Sequence, residues 1–214
     1  MDAEVDFDIE LIGEREYEEL HSRYAPLATA IRELMQASLH TAVDAETARS
    51  ATAAIESVTA TLNRDQRMRT GWAMRHEATG LPVVWSNPAV GVRNPLAPPM
   101  QVHHDPDGTA RSEFTLGGVY EGPPGLVHGG ICALVLDQLL GEVATRALTE
   151  PRFTGTISLR YLRGTPLGPL RAEARIDRVE DHKTYARGVI SDSQGPTVEA
   201  DGVFITPAWA RDEQ

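Results

Sequence analysis

GPPGLVHGGICALVLDQLLGEV, residues 122–143, is a glycine-rich loop that runs into the most apolar segment of the chain. From Ile131 to Leu140 the side chains leave no polar stripe, and a helix that is apolar on all sides is expected to be buried. Asp137 nevertheless lies in the middle of this segment. Since a buried carboxylate is destabilising unless it is paired, the sequence predicts that Asp137 is kept for a function.

The composition is that of a globular protein. The chain has 214 residues, of which 41% are apolar and 24% charged, and these are ordinary values for a domain with a sizeable core. It has no apolar run of about eighteen residues, so we expect no membrane-spanning helix and no membrane partner. The opening MDAEVDFDIE lacks the basic and apolar regions of a secretory signal, and the single cysteine allows no internal disulfide. We therefore expect a cytoplasmic protein.

The negative charge is concentrated at one end of the chain. The net charge is −11, and residues 1–65 carry −9 of it, with 14 acidic and 5 basic side chains. Binding to nucleic acid depends on phosphate neutralisation by Lys and Arg, so this balance argues against a nucleic-acid partner. An anionic ligand would have to be bound by local basic groups, which only the remainder of the chain can supply.

Two amphipathic helices are predicted in residues 14–65. Apolar residues recur there at alternating steps of three and four, which is the spacing of one helix face: Tyr17, Leu20, Tyr24, Leu27, Ile31 and Leu34, then Ala48, Ala51, Ile55, Val58 and Leu62. Pro26 is expected to break the first helix or to start a new one. Asp44 is a suitable N-cap for the second. We expect a helical hairpin that packs on the domain or on a second subunit, or alternatively a lid over a ligand site.

A connector and a hairpin follow. The Pro-, Gly- and Asn-rich residues 80–99 predict a loop with one short strand at 83–85, and the turn sequence DPDG at 105–108 predicts a hairpin. His103, His104 and Asp105 suggest a metal site at first sight. Adjacent residues of a strand point to opposite faces, however, so the two histidines would not easily reach one ion, and we expect no metal.

Four strand candidates follow the apolar segment. They are TGTISLRYLRG, PLRAEARIDRV, KTYARGVISD and TVEADGVFITP, separated by short hairpin-type connections. Their period-two alternation of apolar and charged residues predicts an antiparallel meander with one covered face. The sheet would then curl around the apolar helix, which makes the fold class α+β.

This arrangement and its motifs resemble the hot-dog fold thioesterase superfamily, particularly its PaaI-like branch. The resemblance is carried by HGG at 128–130 with Asp137 nine residues after the histidine, by the preceding YEGPPGLV and by the upstream NPLAPPM. It covers residues 80–207. It implies a curled antiparallel sheet around a central buried helix, a dimer whose two sheets join, and acyl-CoA sites at the subunit interface. It also implies that the helix N-terminus polarises the carbonyl and that Asp137 is the catalytic carboxylate.

The residues support these roles without the family. Gly129 and Gly130 allow a substrate to approach the backbone, and the first amides of a helix lack internal partners, so they can stabilise an oxyanion. Asp137 lies about 11–14 Å further along the helix axis than His128 and Gly130, which is too far for one carbonyl. A dimer resolves this, because the Gly130 amide of one chain can face Asp137 of the other. The carboxylate can serve as general base or as nucleophile.

Other polar residues near the motif have two interpretations each. Thr154 opens the next strand, where related thioesterases often hold a Thr or Ser near the attacking water, but threonine also favours strands for packing alone. His128 is expected to fix the helix start rather than to act as acid or base. Cys132 is expected to be a core residue. Glu142 points about 140° away from Asp137, towards the helix end where water is nearer, and is expected to be structural.

The function that these residues predict is hydrolysis of an acyl-CoA thioester without a cofactor. Arg160, Arg163, Lys183 and Arg187 are candidates for the CoA phosphates, although each can equally belong to a solvated sheet face. The alternatives are a non-catalytic acyl-CoA binder and a hydratase, for which we find no motif. We expect a homodimer or a dimer of dimers. We divide the chain into an acidic helical extension (1–65), a connector (66–99), a hot-dog domain (100–207) and a tail (208–214).

Overall fold

The computed structural model describes residues 8–65 and 72–211. The helices are α1 (Glu14–His40), α2 (Ala45–Leu62) and α3 (Gly129–Ala144), with 3-10 turns at Gly118–Tyr120 and Ala208–Ala210. The strands are β1 (Asp8–Ile12), β2 (Trp72–His76), β3 (His103–His104), β4 (Ala110–Leu116), β5 (Phe153–Tyr161), β6 (Gly168–Glu180), β7 (Lys183–Asp192) and β8 (Gly195–Ile205).

An antiparallel sheet of six strands packs against α3, in the order β3-β4-β6-β7-β8-β5. Alternate residues of each central strand face the helix, as Ala110, Ser112, Phe114 and Leu116 do on β4. These side chains meet Val135, Leu136, Leu139 and Leu140 of α3, all of which are fully buried. The predicted α+β arrangement of helix and antiparallel sheet is confirmed.

The position of β5 corrects the predicted meander. Strands β6, β7 and β8 follow one another as expected, but β5 pairs with β8 and not with β6. The chain therefore crosses from one edge region of the sheet to the other between β5 and β6, and β5 becomes an edge strand. Period-two patterns give the buried face of a strand but not its neighbour.

Helix α1 packs on the domain and continues through Pro26. The prediction of a break at this residue is wrong. A proline deprives the carbonyl four residues earlier, that of Ser22, of its partner. Both residues are exposed, so water can satisfy this carbonyl. Ala28, on nearly the opposite side of α1 from Pro26, is buried, and nearer the end of the helix Gln36 Oε1 accepts a hydrogen bond from the Val119 amide at 3.3 Å.

Helix α2 forms as predicted, but it does not pack as one arm of a hairpin. Asp44 is its N-cap, as predicted, and accepts hydrogen bonds from the Glu46 and Thr47 amides at 2.9 Å. These bonds lower the pKa of the Asp44 carboxyl. Every residue of the helix is exposed, including the apolar stripe that predicted its packing. The stripe gives the period of the helix correctly, but it does not pack on the domain of its own chain; packing on a second subunit stays a prediction.

A parallel strand pair that the sequence did not predict joins the start of the N-terminal extension to the connector. β1 pairs with β2, and a small second core lies beside them, formed by Ile12, Met74 and Trp85 with Tyr17, Leu20, Val83 and Val92. The predicted strand at 83–85 is wrong: the neighbouring Pro82 forms an isolated bridge with Arg75, the Val83 amide donates to the Met74 carbonyl, and no strand forms at 83–85. Residues 66–71 of the predicted connector lie outside the described residues.

The predicted hairpin is confirmed as β3 and β4. Its turn is closed by hydrogen bonds from the Asp105 amide to the Thr109 carbonyl at 2.8 Å and from the Gly108 amide to the Asp105 carbonyl at 3.0 Å, and the φ of 85° at Gly108 suits glycine. His104 points towards α3, while His103 lines an outer groove, so the two rings lie on different sides. In the two described stretches of the chain, no helix combines the length and apolar character that crossing a membrane requires.

Candidate active site

The N-terminus of α3 is capped by His128. Its backbone is extended, and its Nδ1 accepts a hydrogen bond from the Gly130 amide at 3.0 Å. An accepting Nδ1 places the proton of the neutral ring on Nε2. The prediction that His128 fixes the helix start is confirmed. The Gly130 amide, predicted to polarise a carbonyl, is occupied by this cap, whereas Gly129 is the first helical residue and its amide has no acceptor within the helix.

The loop before the helix holds His128 through close backbone contact. The Gly125 amide donates to Glu121 Oε1 at 2.6 Å, and the Gly122 amide donates to the Leu126 carbonyl at 2.9 Å. A Cβ on Gly122 would lie 2.8 Å from the Cα of His128. Glycine is therefore required at this position by the approach of two backbone segments.

We expect Gly122→Ala to displace His128, because the added methyl meets backbone that cannot move aside cheaply. Overpacking of this kind lowers stability by about 1–3 kcal/mol. Thioester hydrolysis should fall by about tenfold or more, since the amides at the helix start are predicted to polarise the carbonyl. Thermal melts and steady-state kinetics measure both effects. Exchange of the exposed neighbour, Pro123→Ala, is the control, and equal activities of the two variants would contradict the expectation.

Tyr161 also supports the helix start, and the sequence analysis gave it no role. Its hydroxyl donates to the Gly129 carbonyl at 2.9 Å, which joins the end of β5 to the first turn of α3. Desolvation raises the pKa of the Tyr161 hydroxyl, so it remains a donor at neutral pH. The contact spans 32 residues of sequence. The only signal for it was the alternation that placed Tyr161 on the covered face of its strand.

Asp137 lies on a side of α3 that the central strands of the sheet do not cover, next to the start of the edge strand β5. Its side chain is half-buried, and so are Leu134 and Gly141, which share its face by their spacing. The expectation of a helix buried on all sides is therefore wrong for this face. Asp137 Oδ1 accepts a hydrogen bond from the Thr154 hydroxyl at 3.0 Å. The structure thus brings together two of the predicted site residues, Asp137 and Thr154.

A β-bulge turns Thr154 towards the helix. Thr154 lies opposite Phe204 and Thr156 lies opposite Val203, so Gly155 has no partner in the register. In a regular strand Thr154 and Thr156 would face the same side, but the extra residue reverses the alternation. Thr154 then shares the side of Phe204, which is buried against the core. Gly155 was the available signal, since a glycine within a strand pattern often marks a bulge.

Glu142 is more buried than Asp137, contrary to the expectation that it lies nearer to water. It is 7% exposed. Its Oε1 accepts from Gln138 at 2.9 Å, and its Oε2 lies 3.2 Å from His104 Nε2. These partners come from the helix itself and from β3, which folds back across the C-terminal half of α3. Cys132 is buried as predicted, and desolvation raises the pKa of its thiol.

The four candidates for phosphate binding have carboxylate neighbours. Arg160 pairs with Glu199, and Arg187 lies 3.2 Å from Asp201 and 3.5 Å from Asp177. Arg163 makes a two-pronged contact with Asp192 and also donates to the Gly195 carbonyl at 2.8 Å. Lys183 lies opposite Glu180 across the β6–β7 pair. A phosphate would have to compete with these carboxylates, and the phosphate role stays a prediction.

The Arg163–Asp192 pair gives a pH-dependent contribution to stability. Hydrogen bonding from Arg163 lowers the pKa of Asp192 from 3.8 to about 2. A carboxyl whose pKa is lower in the folded state stabilises the fold above its unfolded pKa, and this contribution is lost as the pH falls towards the folded value. We therefore expect Asp192→Asn to lower Tm at neutral pH, and the gap from wild type to close between about pH 4 and about pH 2. Thermal melts across this range test it, and a gap that does not change with pH would contradict it.

Comparison with known proteins places this geometry in a family. A crystal structure of a thioesterase superfamily protein superimposes with a TM-score of 0.74 at 31% sequence identity, covering 85% of this chain and 90% of that one. The chain belongs to the thioesterase superfamily. Residues 124–199 match the sequence profile of that superfamily, which includes His128 to Glu199 and thus α3 and most of the sheet. The hot-dog fold that the resemblance implied is confirmed.

Two curated relatives of this thioesterase-superfamily chain are similar over a shorter stretch. Acyl-coenzyme A thioesterase THEM5 of Homo sapiens is 33% identical over 95 residues, and the protein of the same name from Mus musculus is 30% identical over 95 residues. The match covers 43% of this chain and 38% of each relative. The chain therefore matches well under half the length of the curated relatives.

Proposed function

We propose that this chain hydrolyses acyl-CoA thioesters to a free acid and CoA, with Asp137 as general base or nucleophile. The observation that carries the proposal is the Asp137–Thr154 hydrogen bond on the uncovered face of α3, in a chain of the thioesterase superfamily. The activity named for the similar human and mouse proteins supports acyl-CoA as the substrate class.

Two groups carry the proposed chemistry, the Asp137 carboxylate and the backbone amides of the first turn of α3. As a general base, Asp137 takes a proton from water while the water oxygen bonds to the carbonyl carbon; the C–S bond then breaks and the proton passes from Asp137 to the departing sulfur, so that CoA leaves as its thiol. As a nucleophile, Asp137 bonds to the carbonyl carbon as the C–S bond breaks, and water then hydrolyses the resulting anhydride, which releases the acid and supplies the proton of the thiol. Thr154 donates to Oδ1, which leaves Oδ2 free to accept a hydrogen bond from water. The developing oxyanion is stabilised by amides of the first turn of α3. The Gly129 amide is suited to this role, and the Gly130 amide joins it when the His128 ring turns away.

The site is completed by a second copy of the chain. Gly130 and Asp137 are seven residues apart in one helix, or about 10 Å along its axis, which exceeds the reach of one carbonyl. The edge strand β5 exposes Phe153 and Tyr161, by 58% and 53%, and the following Leu162 by 46%. An open strand edge with apolar neighbours favours pairing with the same strand of a partner. Such a homodimer would cover Asp137 and place it near the partner's helix start.

A thiol-release assay over acyl-CoAs of graded chain length, with an aryl-CoA included, tests the proposal. Hydrolysis of one or more substrates with a free thiol as product supports it. Binding of acyl-CoA by calorimetry without thiol release would instead identify a non-catalytic binder. If the protein neither binds acyl-CoA nor releases a thiol from it, acyl-CoA is not the substrate class.

A further inference from the structure

A continuous chain of hydrogen bonds runs along the side of α3 that faces the connector and β3. Asn87 Nδ2 donates to Gln138 Oε1 at 3.0 Å, and Gln138 Nε2 donates to Glu142 Oε1 at 2.9 Å. Glu142 Oε2 completes the chain with His104 Nε2 at 3.2 Å. Gln138 and Glu142 are one helical turn apart and so lie on one face, and Gln138 directly follows Asp137.

The two residues at the ends of this series of hydrogen bonds, Asn87 and His104, are fixed by backbone hydrogen bonds. Asn87 Oδ1 accepts from the amides of Ala89 at 2.7 Å and Val90 at 3.1 Å, so the side chain is fixed within its own turn. His104 belongs to β3 and is paired with Ala110 of β4. A fixed donor on one side and a fixed strand on the other restrain the two helix side chains between them.

Apolar packing by itself selects the rotation of α3 weakly. The helix is apolar on most of its circumference, and Leu and Val side chains pack acceptably in more than one orientation. Hydrogen bonds are directional, and a buried polar group left without its partner is strongly destabilising. Glu142, 7% exposed, therefore restricts the helix to orientations in which Gln138 and His104 reach it.

We infer that Gln138 and Glu142 are positioning residues: they fix the rotation of α3 and thereby the direction in which the Asp137 side chain points. Successive residues are about 100° apart, so the Asp137 carboxylate points to β5 while Gln138 points to the connector. A carboxylate about 5 Å from the helix axis moves by about 1.7 Å when the helix rotates by about 20°. That displacement would break the 3.0 Å bond to Thr154 and misplace the attacking group.

This inference rests on the proposed function only for its kinetic readout. Gln138→Leu and Glu142→Leu remove the polar chain while keeping similar side-chain volume. We expect each to lower kcat by about tenfold with a smaller change in KM, because a displacement of about 1 Å can reduce a rate by up to about 10². The kcat of the double variant should be little lower than that of either single variant, since both substitutions break the same series of hydrogen bonds. Glu142→Gln should retain most of the activity, because an amide can accept from Gln138 and donate to His104 in its other tautomer.

Crystal structures of the same variants provide the readout that does not depend on catalysis. In Gln138→Leu and Glu142→Leu the distance from Asp137 Oδ1 to Thr154 Oγ1 should exceed 3.5 Å, and in Glu142→Gln it should stay near 3.0 Å. Thr197→Val, which removes a buried hydroxyl bonded to Thr165 and Ile190, controls for loss of stability alone. Leucine variants with an unchanged distance and an unchanged kcat per folded protein would overturn the inference. If the wild-type protein hydrolyses no thioester, the proposed function is wrong, but the distances still decide whether Gln138 and Glu142 position Asp137.

Discussion

Asp137→Asn should lower kcat by at least about 10²-fold, since a positioned general base contributes about 10² to 10⁴. The amide keeps the shape of the side chain and can still accept the hydrogen bond from the Thr154 hydroxyl, but it has neither the charge nor the basicity of a carboxylate. KM should change less, because we expect CoA to be bound mainly by other residues. We expect Tm to stay close to that of wild type, since Asp137 is half-buried and its one observed partner is kept.

Steady-state kinetics and a thermal melt on the same preparations measure both quantities. Asp201→Asn is a matched control, because it removes one carboxylate charge from the outer face of β8, where Asp201 meets Arg187. A well-folded Asp137→Asn protein with near-normal kcat would refute the catalytic assignment. A structural Asp137 would give a different pattern, in which Tm falls and activity is lost only with the fold.

The parts of the fold that the sequence predicted are those determined by local pattern. Helix α3, the turn between β3 and β4, the Asp44 cap and the alternation along β6, β7 and β8 each depend on residues a few positions apart. Side-chain direction follows directly from the period of a helix or strand, so these features could be derived before the fold was known. Thr154 was a candidate through the resemblance and not through local pattern, because related thioesterases often hold a Thr or Ser near the attacking water at the start of this strand.

The remaining features depend on contacts between distant residues. Glu142 looked solvent-facing because its own helix ends two residues later, yet β3, 38 residues earlier, buries it through His104. Tyr161 and Gly129 meet across 32 residues. The pairing of β5 with β8 is likewise not predictable from the sequence, because the alternation of apolar and polar residues along a strand does not show which strand lies beside it. The apolar stripe of α2 is a pattern suited to packing, yet it is exposed in the single chain. The period of a helix therefore does not identify the surface against which the helix packs.

Thr156→Lys combined with Ser158→Lys should convert a dimer into an inactive monomer. The amide of Leu162 donates to Thr197 of β8, and by antiparallel alternation Thr156, Ser158 and Arg160 also bond towards β8. The free edge of β5 thus presents the amides and carbonyls of the residues between them. Thr156 and Ser158 are exposed on the outer face, and Ser158 lies opposite Asp201, so the protomer should tolerate lysines there.

Across a two-fold axis at this edge, the same substitutions bring four added positive charges together, and like charges at paired positions are destabilising. Light scattering should report a mass near 23.3 kDa, and kcat should fall by about 10²-fold or more, because each half-site loses either its carboxylate or its carbonyl-polarising amides. Thr115→Lys with Ser193→Lys adds equal charge away from β5 and should leave both mass and activity unchanged. A fully active monomer of the β5 variant would refute the shared site, because a single chain would then have to bring Asp137 and the start of α3 to one carbonyl, against the length of its own helix.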